Sequence, residues 1–108
     1  MVNKMAYFYV LYCKDKSLYA GYTTNLTRRF HEHNQGLGAK YTRVKFRRPL
    51  RMIYAEKHVS KSAAMQAEYR FKQLSRSQKE EYLKDAGIES LDSKHFILIN
   101  KVESSDEA

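Results

Sequence analysis

The sequence predicts a mixed α+β domain in which a small, mostly antiparallel three-stranded sheet is flanked by helices. Three observations predict it. Residues Tyr7 to Cys13 (YFYVLYC) and Leu18 to Thr23 (LYAGYT) are aromatic and β-branched runs parted by the polar turn Lys14-Asp15-Lys16-Ser17, the pattern of an antiparallel hairpin. A third such run, Leu50 to His58 (LRMIYAEKH), follows a helix-patterned segment and a basic stretch. Beyond it, apolar residues recur at helical spacing. Such an order lays helices over a small sheet.

Each element has a local reason. The first strand carries apolar residues on both faces, so it is expected to be buried on both. Gly21 within the second strand marks a bulge or a close approach of backbone or ligand. Thr24 or Asn25 can cap the first helix, Leu26 and Phe30 give it a core-facing stripe, and Gly36 and Gly38 stop it. Ala39 to Pro49 (AKYTRVKFRRP) has no clear period and reads as an ordered loop closed by the only proline. Ser60 to Ser75 is the best helix, capped by Ser60 or Ser62, with Ala63, Ala64, Ala67, Phe71 and Leu74 as its apolar stripe. Ser77, with Glu80 following, reads as the capping box of a further helix that ends at Gly87. Phe96 to Ile99 can add a short strand or helix. Residues 1–90 are expected to form one domain and residues 91–108 a C-terminal extension, whose acidic end, ESSDEA, is expected to be disordered.

A chain of 108 residues suits one domain with one modest core. Its 20 Lys and Arg outnumber 12 Asp and Glu for a formal charge of +8, which predicts a polyanionic partner. Nucleic acid and an anionic membrane surface both qualify. The basic residues are not arranged on one amphipathic helix, which sets the membrane aside. Cys13 is the sole cysteine, so no intramolecular disulfide can form, and its apolar setting reads as a buried reduced thiol in a cytoplasmic protein. No stretch is long enough to span a bilayer, and the N-terminus lacks a signal-peptide cleavage pattern. No obligate protein partner is evident.

The sequence holds no GxxxxGK[ST] phosphate loop, no GxGxxG, no Cys pair for zinc and no GxSxG elbow. Chemistry must therefore come from Tyr, Arg, His and Glu. The hairpin brings Tyr9 and Tyr19 into neighbouring strands, where they share a face if the register allows it; strand tyrosines also serve packing alone. Arg29 and His33 lie one turn apart on the first helix and share a face, with Arg28 turned toward solvent. Arg29 is a permanent cation shaped for a phosphate. Glu68 interrupts the apolar stripe of the long helix, so it must be paired, hydrogen-bonded, metal-bound or at the rim of the core.

Taken together, Tyr7-Phe8-Tyr9, Tyr19-Ala20-Gly21 and the run Thr24-Asn25-Leu26-Thr27-Arg28-Arg29-Phe30 with His31-Glu32-His33-Asn34 resemble the GIY-YIG nuclease superfamily. Gly36-Leu37-Gly38-Ala39-Lys40-Tyr41-Thr42-Arg43 and Leu74-Ser75-Arg76-Ser77-Gln78-Lys79 resemble its short, stand-alone bacterial branch. The resemblance implies a GIY-YIG endonuclease fold and a metal-dependent nuclease, acting on DNA in preference to RNA, with a role in repair or recombination. It implies that Tyr9 and Tyr19 are the paired active-site tyrosines, with Tyr9 deprotonating the attacking water as or through a general base. Gly21 would let the substrate backbone approach, Arg29 would steady the phosphate, and His33 would assist proton transfer. Glu68 would be the single carboxylate ligand of one Mg²⁺ or Mn²⁺ ion. The chain departs from the pattern at Tyr7 and Ala20, and no asparagine after Glu68 matches a fourth motif; Asn100 is the sole candidate. The alternative function is a catalytically weak or inactive nucleic-acid-binding module that uses the same surface. Lys40, Tyr41, Arg43, Lys45, Arg47 and Arg48, with Phe46 and Arg51 among them, are the candidate nucleic-acid contacts, cations for phosphates and aromatics for unpaired bases.

Overall fold

The computed structural model describes residues 5–102. Its chain order is β1 (Ala6–Tyr12), β2 (Leu18–Thr23), α1 (Leu26–Asn34), α2 (Lys40–Arg43), a 3-10 turn (Lys45–Arg47), β3 (Arg51–His58), α3 (Lys61–Lys72), α4 (Arg76–Asp85) and β4 (Ile97–Asn100). The strands form one sheet in the order β2-β1-β3-β4. β1 is antiparallel to both neighbours, and β4 runs parallel to β3. The expected α+β class holds, with a fourth strand added to the expected three. Parallel pairing needs a long crossover, and α3 and α4 supply it. Four residues with one half-buried face, Ile97 and Ile99, are too short a run for periodicity to separate strand from helix.

β1 lies inside the sheet and packs on both faces. On one face Phe8, Val10 and Tyr12 join Ile53 and Tyr54 of β3, Ala67 and Phe71 of α3 and Leu83 of α4. On the other, Tyr9, Leu11 and Cys13 join Leu50 and Ala55, with Leu26 and Phe30 of α1 and Tyr41 of α2 packed against them. The β1–β3 register shifts between Val10 and Leu11. This irregularity lets the consecutive residues Ile53 and Tyr54 enter the same cluster, which a regular pleat would forbid.

The helix ends follow their caps. Asn25 accepts the Arg28 amide at the start of α1, and Ser60 accepts the Ala63 amide at the start of α3. The capping box of α4 corrects the expected one. It is Ser75 with Gln78, not Ser77 with Glu80. Ser75 is the extended residue at the helix entrance, and Glu80 turns outward to Arg76 at 2.7 Å. The segment from Ala39 to Pro49 is also more structured than a loop, folding into α2 and the 3-10 turn. Single turns have no period to read. The acidic run of residues 103–108, expected to be disordered, lies outside the described residues, as do residues 1–4. Among the described residues no helix is long and apolar enough to cross a membrane.

Candidate active site

The register sets Tyr9 opposite Gly21 and Leu11 opposite Tyr19. Tyr9 and Tyr19 therefore project from neighbouring strands to the same face. α1 lies over that face and lowers His33 onto it, fully buried. The Tyr9 hydroxyl meets His33 Nε2 at 2.8 Å. The His33 ring also packs against both tyrosine rings, at centroid distances of 5.8 Å to Tyr9 and 5.3 Å to Tyr19. Asn34 fixes the helix above the sheet: its Nδ2 donates to the Leu50 carbonyl at 3.1 Å, and its Oδ1 accepts the Leu50 amide at 2.8 Å.

Two glycines make room for this pair. A Cβ on Gly21 would come within 2.5 Å of the Tyr9 hydroxyl, so the absent side chain is replaced by the phenol. The space that a side chain at Gly21 would fill is thus occupied by the Tyr9 ring. A Cβ on Gly38 would overlap the His33 ring at Nδ1.

Burial keeps both partners neutral. Tyr9 is pushed well above the ordinary phenol range, chiefly by burial, against a lowering effect from Arg29. His33 is pushed down to about 4, first by burial and then by the Arg29 charge. Tyr19 is raised by burial, with Lys72 and Arg29 pulling the other way. Arg29 is itself held by Glu32 at 3.0 Å. Arg28, exposed, faces Glu32 more loosely at 3.9 Å.

Glu68 arrives from α3 at the β2 edge of the sheet. Its charge reaches both Tyr9 and Tyr19 and opposes their ionisation. Its side chain is 16% exposed, and Oε2 is paired with Lys72 Nζ at 2.8 Å. Lys72 also lies over the Tyr19 ring, 5.7 Å from its centroid. Among the described residues no three His, Cys, Asp or Glu side chains gather as a metal cage. One carboxylate beside two phenol oxygens fits a hard divalent ion that keeps most of its water, and does not fit zinc. Asn100 stands elsewhere, on the outermost strand β4, where its Oδ1 accepts the Val102 amide at 2.8 Å.

The basic segment divides into free and committed residues. Lys40, Arg43 and Lys45 are exposed. Arg47 is committed, with Asp15 at 3.1 Å, the Tyr41 carbonyl at 3.1 Å and its guanidinium 3.8 Å from the centre of the Tyr41 ring. Tyr41 also stacks on Tyr19, centroids 5.7 Å apart. Tyr41 and Arg47 therefore buttress the site through their own contacts. Arg48 is half-buried and donates to the Arg43 carbonyl at 3.3 Å. Arg51 is likewise engaged, by the carbonyls of Ser93 and Leu91, both at 2.7 Å. Phe46, 63% exposed, is the open aromatic of the segment.

Three residues of the site had escaped sequence reasoning. Lys72 was findable, because it stands one turn beyond Glu68 at the spacing of a helical ion pair. Thr42, fully buried with its Oγ1 2.6 Å from His33 Nδ1, and the double bond of Asn34 carried no signal of their own.

The GIY-YIG catalytic domain family model matches residues 5–82. A UPF0213 protein of Enterococcus faecalis is 58% identical over 85 residues, covering 78% of this chain and 97% of the relative. One from Limosilactobacillus reuteri is 53% identical over 91 residues, covering 84% and 95%. Two solution NMR structures are similar in fold. A protein from E. faecalis aligns with a TM-score of 0.55 at 53% identity, covering 88% of this chain and 100% of that one. A UPF0213 protein from Bacillus halodurans aligns with a TM-score of 0.53 at 45% identity, covering 78% and 87%.

Proposed function

The chain belongs to the GIY-YIG catalytic domain family, a nuclease family that acts on nucleic acid and generally uses a divalent metal ion, and on that premise we propose that it is a Mg²⁺- or Mn²⁺-dependent endonuclease acting on DNA in the cytoplasm. The observation that carries the proposal is the buried contact between the Tyr9 hydroxyl and His33 Nε2. A neutral histidine behind a neutral phenol can take a proton that the phenol passes on.

His33 Nε2 is the one partner of the Tyr9 hydroxyl among the described hydrogen bonds, so the phenol's own proton points to it. Water attacks phosphorus and gives its proton to the Tyr9 oxygen, while the Tyr9 proton moves to His33 Nε2. Tyr9 stays neutral throughout, and a free phenolate, which burial opposes, is not needed. The P–O bond to the leaving oxygen breaks, and that oxygen is protonated from solvent. Arg29 faces the charge that develops on the phosphoryl oxygens. Glu68 would hold the ion, which when bound neutralises part of the same charge. Tyr19, stacked on Tyr41, walls the site and excludes water from the His33 ring. Lys40, Arg43 and Lys45 draw in the phosphate backbone of a repair or recombination substrate.

A second reading is a binding module with little catalysis. It is favoured by the 2.8 Å pairing of Glu68 with Lys72, which already gives the carboxylate a cation. One assay separates the two. Wild type, Arg29→Ala and Glu68→Gln are incubated with Mg²⁺ or Mn²⁺ on single-stranded, duplex and branched DNA and RNA. The nuclease reading expects cleavage by wild type and a loss of roughly 10²-fold or more in each variant. Metal-independent, salt-sensitive binding with no cleavage anywhere on the panel establishes the binding module instead.

A further inference from the structure

We propose that Thr42 is the positioning residue that sets the His33 tautomer, holding the proton on Nδ1 so that Nε2 keeps the lone pair that faces Tyr9. The inference deepens the reading of the Tyr9–His33 pair as a proton relay and rests on it for its consequence in catalysis, not for its structural content.

A count of donors fixes the direction of each hydrogen bond. The described hydrogen bonds run Tyr9 Oη–His33 Nε2 at 2.8 Å, His33 Nδ1–Thr42 Oγ1 at 2.6 Å and Thr42 Oγ1–Ala39 carbonyl at 3.1 Å. A neutral imidazole has one N–H, and a hydroxyl has one proton. A carbonyl only accepts, so the Thr42 proton goes to Ala39 and leaves the hydroxyl oxygen to accept from His33 Nδ1–H. Nε2 is then the acceptor for the Tyr9 proton. The opposite direction fails at Tyr9. It would place Nε2–H against the phenol oxygen and leave the buried phenol proton without an acceptor among the described hydrogen bonds. An unpaired buried donor is costly, so the satisfied direction prevails.

The fold is arranged to hold this contact. Thr42 sits in the single turn of α2, whose Thr42 and Arg43 amides both bond the Ala39 carbonyl at 3.1 Å. Tyr41 locks the same turn against Tyr19, and Arg47 clasps the Tyr41 carbonyl. Gly38 makes room for the ring itself, since a Cβ there would overlap it at Nδ1. Both Thr42 and His33 are fully buried, so water does not stand in for the hydroxyl. The short turn is thus the counterpart, for this histidine, of an orienting group behind a catalytic base.

The test compares wild type, Thr42→Val and Thr42→Ser. Valine keeps the shape and loses the hydroxyl, and serine keeps the hydroxyl and loses the methyl. Nitrogen-15 NMR of the His33 ring reports the tautomer directly and needs no substrate. Wild type and Thr42→Ser are expected to show a protonated Nδ1 and an unprotonated Nε2, with Thr42→Val moving the proton to Nε2. A Thr42→Val protein, folded by its amide spectrum, that retains the Nδ1–H form overturns the proposal. So does an Nε2–H form in wild type. Cleavage is then measured on the same proteins. A fall in kcat of roughly 10²-fold in Thr42→Val, recovered in Thr42→Ser with KM unchanged, supports the tautomer's place in the relay. If the tautomer moves and the cleavage rate does not, the assignment of Thr42 stands and the relay falls.

Discussion

His33 has two sides that must both be satisfied, and its burial sets what it can do. Its conjugate acid is depressed to about 4 by burial, with Arg29 adding to the effect, against an ordinary value near 6.5. Between those limits the unfolded chain binds a proton at this residue and the folded chain does not. Stability therefore rises with pH through that window, and falls as pH drops from about 6.5 to about 4. The loss attributable to His33 is about 3 kcal/mol. Urea unfolding at pH 7 and pH 4 checks this: wild type is expected to lose that much more than His33→Gln, which has nothing to titrate. Parallel losses would show that His33 titrates normally. At this scale the sequence was partly legible. Tyr9, Tyr19, Arg29 and His33 were visible as residue types at helix and strand spacings, but the bond between Tyr9 and His33 was not, because it joins residues distant along the chain. Gly21 and Gly38 show the same limit. A glycine announces that space is needed, not which side chain will occupy it.

Elements are tied together by a buried carboxylate on the face of the sheet away from the site. Glu56 of β3 is almost fully buried and accepts from the Tyr54 hydroxyl at 2.6 Å, from the Tyr82 hydroxyl and from His58 Nε2 at 2.9 Å. Tyr82 belongs to α4, so this bond fastens α4 to the sheet. Burial, followed by the hydrogen bond to Glu56 and then its charge, pushes Tyr82 up to about 12, which keeps it a donor at neutral pH. Tyr82→Phe removes one donor and leaves Glu56 with two. The expected cost is about 1.5 kcal/mol, the worth of a hydrogen bond to a charged group at the low end of its range. Thermal or urea unfolding measures it, and a change near zero would mean that Tyr54 and His58 already satisfy the carboxylate. Strand runs, long helices and caps were legible at this scale because each depends on nearby residues. The misplaced capping box of α4 shows the margin. Ser75 with Gln78 and Ser77 with Glu80 have the same spacing and chemistry, and spacing alone does not say which serine takes the extended backbone of the cap, which here is Ser75.

Across the whole molecule, the two faces of the sheet divide the work. α3 and α4 close one face into an apolar core, whereas α1 and α2 cover the other with a core that contains the tyrosine–histidine pair. Glu68 and Lys72 reach the pair at the β2 edge, and the exposed Lys40 and Arg43 share the single turn of α2 with Tyr41, which stacks on Tyr19. The net charge of +8 announced a polyanionic partner but could not say which cations are free. Arg47 is spent on Asp15 and Tyr41, and its commitment depends on a turn that no periodicity reveals. The central claim is that the Tyr9–His33 contact is the reaction centre, and Tyr9→Phe tests it most directly, since it removes one oxygen and keeps the ring in its packing. Single-turnover cleavage with Mn²⁺ or Mg²⁺ on the substrate that wild type cuts, beside binding of the same substrate without metal, is the measurement. The account predicts that Tyr9→Phe binds as wild type does and cleaves roughly 10²-fold more slowly or worse. Cleavage at the wild-type rate would contradict it.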